Sequence, residues 1–355
     1  MFDYLEWRGD LSFEKVEPNP VDLLIFSTLS YISYDGIVPW MAGGQITLKY
    51  AAEKFLALPD REKRVRVKKD VELLEAAANT ERFGQVRMAF YRNIFVPEKE
   101  TQFAAVTYYL GDGTAVLAFR GTDRTLVGWK EDFNMAFQEF VPAQQEALRY
   151  VNEFAIRTLL PMRLVGHSKG GNLAVYAAAK ADPAIQQRIL EVHNQDGPGF
   201  TENMMSDPGY LAIVPKVSTY VPESSVVGML LEHEEPYTVI KSSQIGPMQH
   251  DPYSWEVLAN GFIYKEEISE NSKKLDRTMK VWFDSMSVEE RNTLVDVIYE
   301  TLTSGGAITV EDMLHPKQIR GVLKSLVSDE KKRHAIAGMA KDLVRAIVET
   351  QEEKR

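Results

Sequence analysis

One run of residues constrains this chain more than any other: Gly166-His167-Ser168-Lys169-Gly170, a G-x-S-x-G pattern followed by Gly171. The segment 163–165 before it reads as a short strand. Residues 169–181 after it are Ala-rich, full of helix formers and closed by Asp182-Pro183. A serine held between strand and helix sits on a strained backbone, and only glycine beside it lets the turn form without a Cβ clash. The turn lifts Oγ clear at the carboxyl end of the strand and aims the first helix amides at the point where a tetrahedral oxyanion would form. A plain structural Gly-Ser-Gly turn is the alternative, and the strand–motif–helix order weighs against it.

The surrounding pattern alternates strands and helices. Val21, Leu23, Leu24, Phe26, Leu29 and Ile32 cover most of a helix circumference, which predicts a buried helix. The charge-rich stretch 51–74 has helical spacing. Residues 104–119 read as two β-rich runs broken by the hairpin signal Gly111-Asp112-Gly113. The apolar positions of 143–160 are helical and end at Pro161, and strand-like runs recur at 189–193, 216–221 and 237–241. This order predicts an α/β fold with a mainly parallel sheet covered on both faces. After about residue 265 charged and apolar residues interleave at helical period. Capping-box patterns occur at Ser287…Glu290 and, with Asp for the usual Glu, at Thr309…Asp312, with breaks at Gly305-Gly306 and Pro316. The expected organisation is a domain over 1–264 that begins with a helical segment, and an all-helical appendix over 265–355 that serves packing and solubility.

Composition removes several function classes. The chain has 355 residues, 45% of them hydrophobic and 26% charged, the usage of a folded globular protein. With no cysteine, disulfide scaffolds, thiolate metal sites and cysteine nucleophiles are excluded, and a reducing compartment fits. A net charge of −10 disfavours nucleic acid or an anionic membrane surface as main partner. The start, MFDYLEWRGD, carries acids where a signal peptide needs a basic flank. The most apolar long stretch, 23–34, falls short of the roughly 18–20 residues of a membrane span. The expectation is a cytoplasmic protein without a transmembrane segment; the oligomeric state is not readable. There is no phosphate-binding loop and no H-E-x-x-H, and Gly111-Asp112-Gly113 precedes a strand, so neither cofactor nor metal is expected.

A second motif lies upstream. Phe119-Arg120-Gly121-Thr122 ends a strand, with Thr122 seven residues before Trp129 and ten before Asp132. A serine hydrolase needs a second N–H opposite the nucleophile turn, commonly from the loop after an earlier strand. The backbone N–H groups of Thr122 and Lys169 are therefore the candidate oxyanion donors.

FRGT with W-x-x-D, then LVGHSKGG, then a late histidine resembles the lipase class 3 group of α/β-hydrolases, and especially its uncharacterised bacterial lipase-like branch. The later segments NQDGPGF, VPESSVVGMLLEH and MQHDPYSWEV are similar to that branch as well. The resemblance covers roughly residues 20–265 and more loosely the helical tail; it implies an α/β-hydrolase fold and a serine nucleophile at Ser168.

Ser168 needs a base to take its proton. Of the six histidines, His167 lies in the elbow, His193 on a strand, His315 and His334 in the tail, and His233 in a charged patch that reads as solvated. His250 follows the last strand-like run, as the order nucleophile, acid, histidine requires, and the resemblance selects it too. Two acids compete. Asp196 follows the strand after the elbow helix; Glu223 follows the next strand, where the acid of most class 3 lipases falls, but the expected Asp-x-Val appears here as Glu-Ser-Ser-Val. Trp129, Phe133, Phe137 and Phe140 share one helix face, either core or a lid of the kind lipases carry. The expected function is hydrolysis of a carboxylic ester, lipid-like or acyl-bearing, through an acyl-enzyme on Ser168. A thioesterase or acyltransferase could use the same site, and a non-catalytic interaction platform on this fold is the alternative from another class.

Overall fold

The computed structural model describes residues 1–40, 44–123, 125–135 and 138–303, together with 338, 341–342 and 345–346. Its centre is a nine-stranded sheet. In chain order the strands are β1 (Ile46–Thr47), β2 (Arg87–Val96), β3 (Thr101–Tyr109), β4 (Ala115–Phe119), β5 (Met162–His167), β6 (Ile189–Gln195), β7 (Val217–Pro222) and β8 (Tyr237–Ile240). A small hairpin of β9 (Val257–Leu258) and β10 (Gly261–Phe262) follows, and β11 (Tyr264–Lys265) closes the far edge of the main sheet. Strands β4 to β8 run parallel, whereas β1–β2–β3–β4 and β8–β11 pair antiparallel. The parallel centre is the expected α/β sheet.

Alternation along the central strands divides the core in two, because successive side chains point to opposite faces. Val106, Tyr108, Val116, Ala118 and Val165 pack with helices Pro20–Leu29, Leu48–Leu56 and Lys68–Ala78. Ala105, Leu117, Phe119, Leu164 and Val192 pack on the other face against Pro142–Arg157 and Lys169–Lys180. The helix Pro20–Leu29 is buried all round, as its continuous apolar residues predict. Asn19 caps it, accepting from the amides of Val21 and Asp22, and the fully buried Asp22 pairs with Arg82 at 2.6 Å.

The charge-rich stretch expected as helical over 51–74 is two helices rather than one. Pro59 lies between them and cannot donate an intrahelical hydrogen bond, and the 3₁₀ turn Arg61–Arg64 fills the gap. Beyond β11, helices Glu270–Asp284 and Val288–Thr303 are seen, the second led by the expected Ser287…Glu290 box, in which the Ser287 amide donates to Glu290 Oε2 at 2.8 Å. The box Thr309…Asp312, the breaks at Gly305-Gly306 and Pro316, and His315 and His334 lie outside the described residues. Among the described residues, no helix is long and apolar enough to cross a membrane.

Candidate active site

Strand β5 ends at His167, and Ser168 turns the chain with φ of +59° and ψ of −136° before helix Lys169–Lys180 begins. An L-residue enters this region of φ only where its surroundings hold it. Here the Ser168 amide donates to the Gln195 carbonyl of β6 at 2.9 Å. The flanking glycines are required by contact: a Cβ on Gly166 would lie 2.1 Å from the Gly170 carbonyl oxygen, and one on Gly170 2.1 Å from that of Phe119. Helix and strands meet too closely at these two positions for any side chain.

Strand β6 delivers Asp196 one residue past its end, at φ of +55°, a conformation Asp tolerates better than most residues. Its carboxylate is wholly buried. Oδ2 lies 2.6 Å from His250 Nδ1, while Oδ1 accepts from Ser225 Oγ at 2.5 Å and from the Gly228 amide at 3.1 Å. A Cβ on Gly228 would stand 2.4 Å from that Oδ1. Three donors therefore hold one carboxylate, Ser225 and Gly228 on Oδ1 and the histidine on Oδ2.

Glu223, the other candidate acid, is not brought to His250. It pairs with Lys265 at 3.3 Å and meets Gln249 Nε2 at 3.5 Å, because the end of β7 directs it toward the β8–β11 edge. The Glu-Ser-Ser-Val stretch instead contributes Ser225 as a donor to Asp196.

His167 and His250 stack with ring centroids 4.6 Å apart. His167 Nε2 lies 2.8 Å from the backbone carbonyl of His250, and since a carbonyl only accepts, that nitrogen carries the proton. Its Nδ1 then accepts from the Tyr31 hydroxyl at 2.9 Å. Burial, with the His250 and Arg66 charges adding, holds His167 well below the ordinary histidine range, so it is a neutral prop beneath His250.

Thr122 and Ser168 line the same cavity, and the Thr122 hydroxyl donates to Asp132 Oδ2. Removal from solvent pushes the Asp132 carboxyl up to about 6, against the pull of the Lys169 ammonium and the Thr122 hydroxyl. The Lys169 side chain runs inward: its buried Nζ donates to the Gln102 carbonyl at 3.0 Å, to Gln102 Oε1 at 2.7 Å and to Glu131 Oε2 at 2.9 Å. Glu131 Oε1 accepts from the Ala143 amide at 2.8 Å. Sequence reasoning chose Thr122 and Lys169 for their amides and missed this ion pair. Its signal in the sequence was a lysine at the first position of an elbow helix whose body is mostly apolar.

Ser168, Lys169, Thr122 and His250 open into one cavity of about 440 Å³, walled on its apolar side by Trp129, Phe133, Leu230, Leu231 and Met279. Trp129 and Phe133 are 49% and 41% exposed, so at these positions the aromatic stripe is cavity wall and surface rather than core. Phe140 is exposed as well, and Phe137 lies outside the described residues. His193 is buried on β6 with Nε2 at 2.8 Å from Glu191. His233, expected to be solvated, is only partly exposed, with Nδ1 at 3.2 Å from Glu235 and its loop tied to helix Glu270–Asp284 by the Lys280–Glu232 pair at 3.0 Å. Among the described residues, no cluster of His, Asp and Glu is arranged to hold a metal.

A model of the Mbeg1-like family matches residues 77–300. Among solved structures, the chain is similar to a mutant of Penicillium cyclopium MDLA, at 13% identity over 70% of this chain and 87% of that one, with a TM-score of 0.39. It is similar to the lipase–propeptide complex of Rhizomucor miehei at 15% identity, covering 62% and 68% of the two chains, with a TM-score of 0.36. A fungal lipase–inhibitor complex, studied as a model for interfacial activation, aligns at 12% identity over 63% and 80%, with a TM-score of 0.38. No curated protein matches the chain.

Proposed function

The chain belongs to the Mbeg1-like family, in the lipase class 3-like group of α/β-hydrolases, and on that premise we propose that it is a serine hydrolase that cleaves a carboxylic ester through an acyl-enzyme on Ser168. The observation that carries the reading is the buried Asp196 carboxylate 2.6 Å from His250 Nδ1, with that histidine and Ser168 opening into the same cavity. In this mechanism His250 Nε2 takes the Ser168 hydroxyl proton as Oγ attacks the ester carbonyl. Asp196 keeps the proton on Nδ1 and stabilises the imidazolium that forms. The oxyanion settles between the N–H groups of Thr122 and Lys169, with the buried Lys169 and Glu131 side chains fixing the backbone on that side. His250 then returns its proton to the departing alkoxide, and a water activated by the same nitrogen releases the acid and restores the serine.

The apolar wall favours an acyl-bearing or lipid-like ester over a charged substrate. The same reading keeps residues 1–264 as the hydrolase domain, 265–355 as the helical part and the cytoplasm as the compartment, with which a cysteine-free chain is compatible. The test is labelling by a fluorophosphonate probe together with p-nitrophenyl ester turnover. Ser168→Ala should abolish both, with a loss on the order of 10⁶ in kcat. Residual turnover within about tenfold of wild type would remove Ser168 from the mechanism, and a wild-type protein that takes no label would favour the interaction-platform alternative.

A further inference from the structure

Trp129 and Phe133 each form part of two cavities. On one side they wall the space that holds Ser168; on the other they close a second cavity of about 170 Å³ between helix Leu126–Met135 and helix Val288–Thr303. Leu126, Trp129 and Phe133 line this second space from one helix, and Val295, Ile298 and Leu302 from the other. The gap does not come from loose helices. Lys130, from the first helix, reaches Asp296 on the second at 2.7 Å and Glu100 at 2.7 Å, and its ammonium lies 4.9 Å from the Tyr299 ring centre. The two helices are thus riveted by charge along one edge while an apolar space is left beside the rivet.

We propose that this second cavity is an acyl-tail subsite, taking the distal methylenes of a long-chain acyl group whose carbonyl lies at Ser168, with Trp129 and Phe133 as the gate between the two spaces. The inference rests on the hydrolase reading for its occupant. Size points the same way: 170 Å³ is below the roughly 300–1,000 Å³ of a self-standing small-molecule site, so the space suits the extension of a ligand anchored elsewhere. Lining chemistry agrees, since Lys130, the one charged side chain among the described residues that line it, spends its ammonium on Glu100 and Asp296. Helices Glu270–Asp284 and Val288–Thr303 then belong to the substrate path, Met279 walling the first cavity and Val295, Ile298 and Leu302 the second.

The experiment compares Ile298→Phe and Leu302→Phe with the wild-type full chain on p-nitrophenyl esters from butyrate to palmitate. The readout is the ratio of kcat/KM on palmitate to that on butyrate. Each methylene excluded from an apolar site removes about fourfold in transition-state binding, so the ratio should fall by at least about tenfold when the cavity is filled. A ratio within about twofold of wild type overturns the subsite, including the case in which a damaged helix contact lowers both rates together. A second measurement does not depend on turnover. A fatty acid brominated at its terminal carbon, added to Ser168→Ala protein, should quench the Trp129 emission, assigned by difference from Trp129→Phe, and Ile298→Phe should relieve that quench. Quenching absent, or unaffected by Ile298→Phe, overturns the subsite by itself. Loss of all ester turnover and probe labelling in the wild type, with the quench intact, would sink the hydrolase reading and leave the chain-binding cavity standing.

Discussion

Asp196 divides its carboxylate between two tasks: Oδ1 is held by Ser225 and Gly228, and Oδ2 is offered to His250. An amide in its place would keep the shape but not the negative charge that stabilises the imidazolium, nor reliably the right histidine tautomer. Such a change costs about 10⁴ in kcat in comparable triads. Asp196→Asn should therefore lower turnover by about three to four orders of magnitude, while Glu223→Gln, which loosens a half-exposed pair with Lys265, should cost less than about tenfold. Steady-state kcat of the two variants decides it, and reversed penalties would move the acid to the end of β7. Much of this was legible in the sequence. The elbow, Thr122, His250 and the two candidate acids could be named from chain order, from what each group must do and from the resemblance. What could not be read is the set of supports that cross the fold: Tyr31 against His167, 136 residues apart, and Lys169 against Gln102, 67 apart. Polar side chains at such positions look like surface or turn residues until the sheet brings their partners to them.

At the scale of elements, the stretch after Thr122 is the informative one. A stripe at i, i+4 and i+8 says only that a helix has an apolar face, and the sequence could not say whether that face meets core or cavity. The half-exposed Trp129 and Phe133 on helix Leu126–Met135 answer for those two positions. Phe133→Ser should then alter the rise in activity on aggregated long-chain esters while leaving the unfolding free energy almost unmoved, within about 0.5 kcal/mol, as for a surface substitution. Denaturant unfolding beside an activity curve across the substrate's aggregation point checks both halves. A destabilisation of about 3–5 kcal/mol, the usual effect of truncating a core phenylalanine, would return the stripe to the core. Other elements were less legible for identifiable reasons. Pro59 splits a stretch that reads as continuously helical, and β2 carries a register shift at Phe90, whose φ is +54°, so its alternation breaks in mid-strand. Edge strands of two residues, such as β1 and β11, are too short to leave a pattern at all.

For the whole molecule, acids outnumber bases by ten, and how the fold houses its carboxylates sets its response to pH. Glu235 is the clearest case. Burial alone would raise it, but the hydrogen bond and charge of His233, with the hydroxyls of Thr219 and Tyr210, bring it down from an ordinary 4.5 to about 2. Those partners come from β7, from the helix Pro208–Ile213 and from the 231–236 loop, so one carboxylate ties three parts of the structure together. A carboxylate whose folded value lies below its unfolded one adds stability that is complete above the unfolded value and is lost as pH falls toward the folded one. A drop of this size corresponds to about 3 kcal/mol, present at neutral pH and withdrawn between about pH 5 and pH 2. Glu235→Gln removes the titration. It should lower stability at neutral pH, where the charged acceptor is missing, and should flatten the acid side of the stability curve so that variant and wild type converge near pH 2. Urea unfolding at a series of pH values measures this directly. If the variant loses stability as steeply as wild type over that interval, the acid sensitivity belongs to other carboxylates and the Glu235 network contributes packing rather than charge.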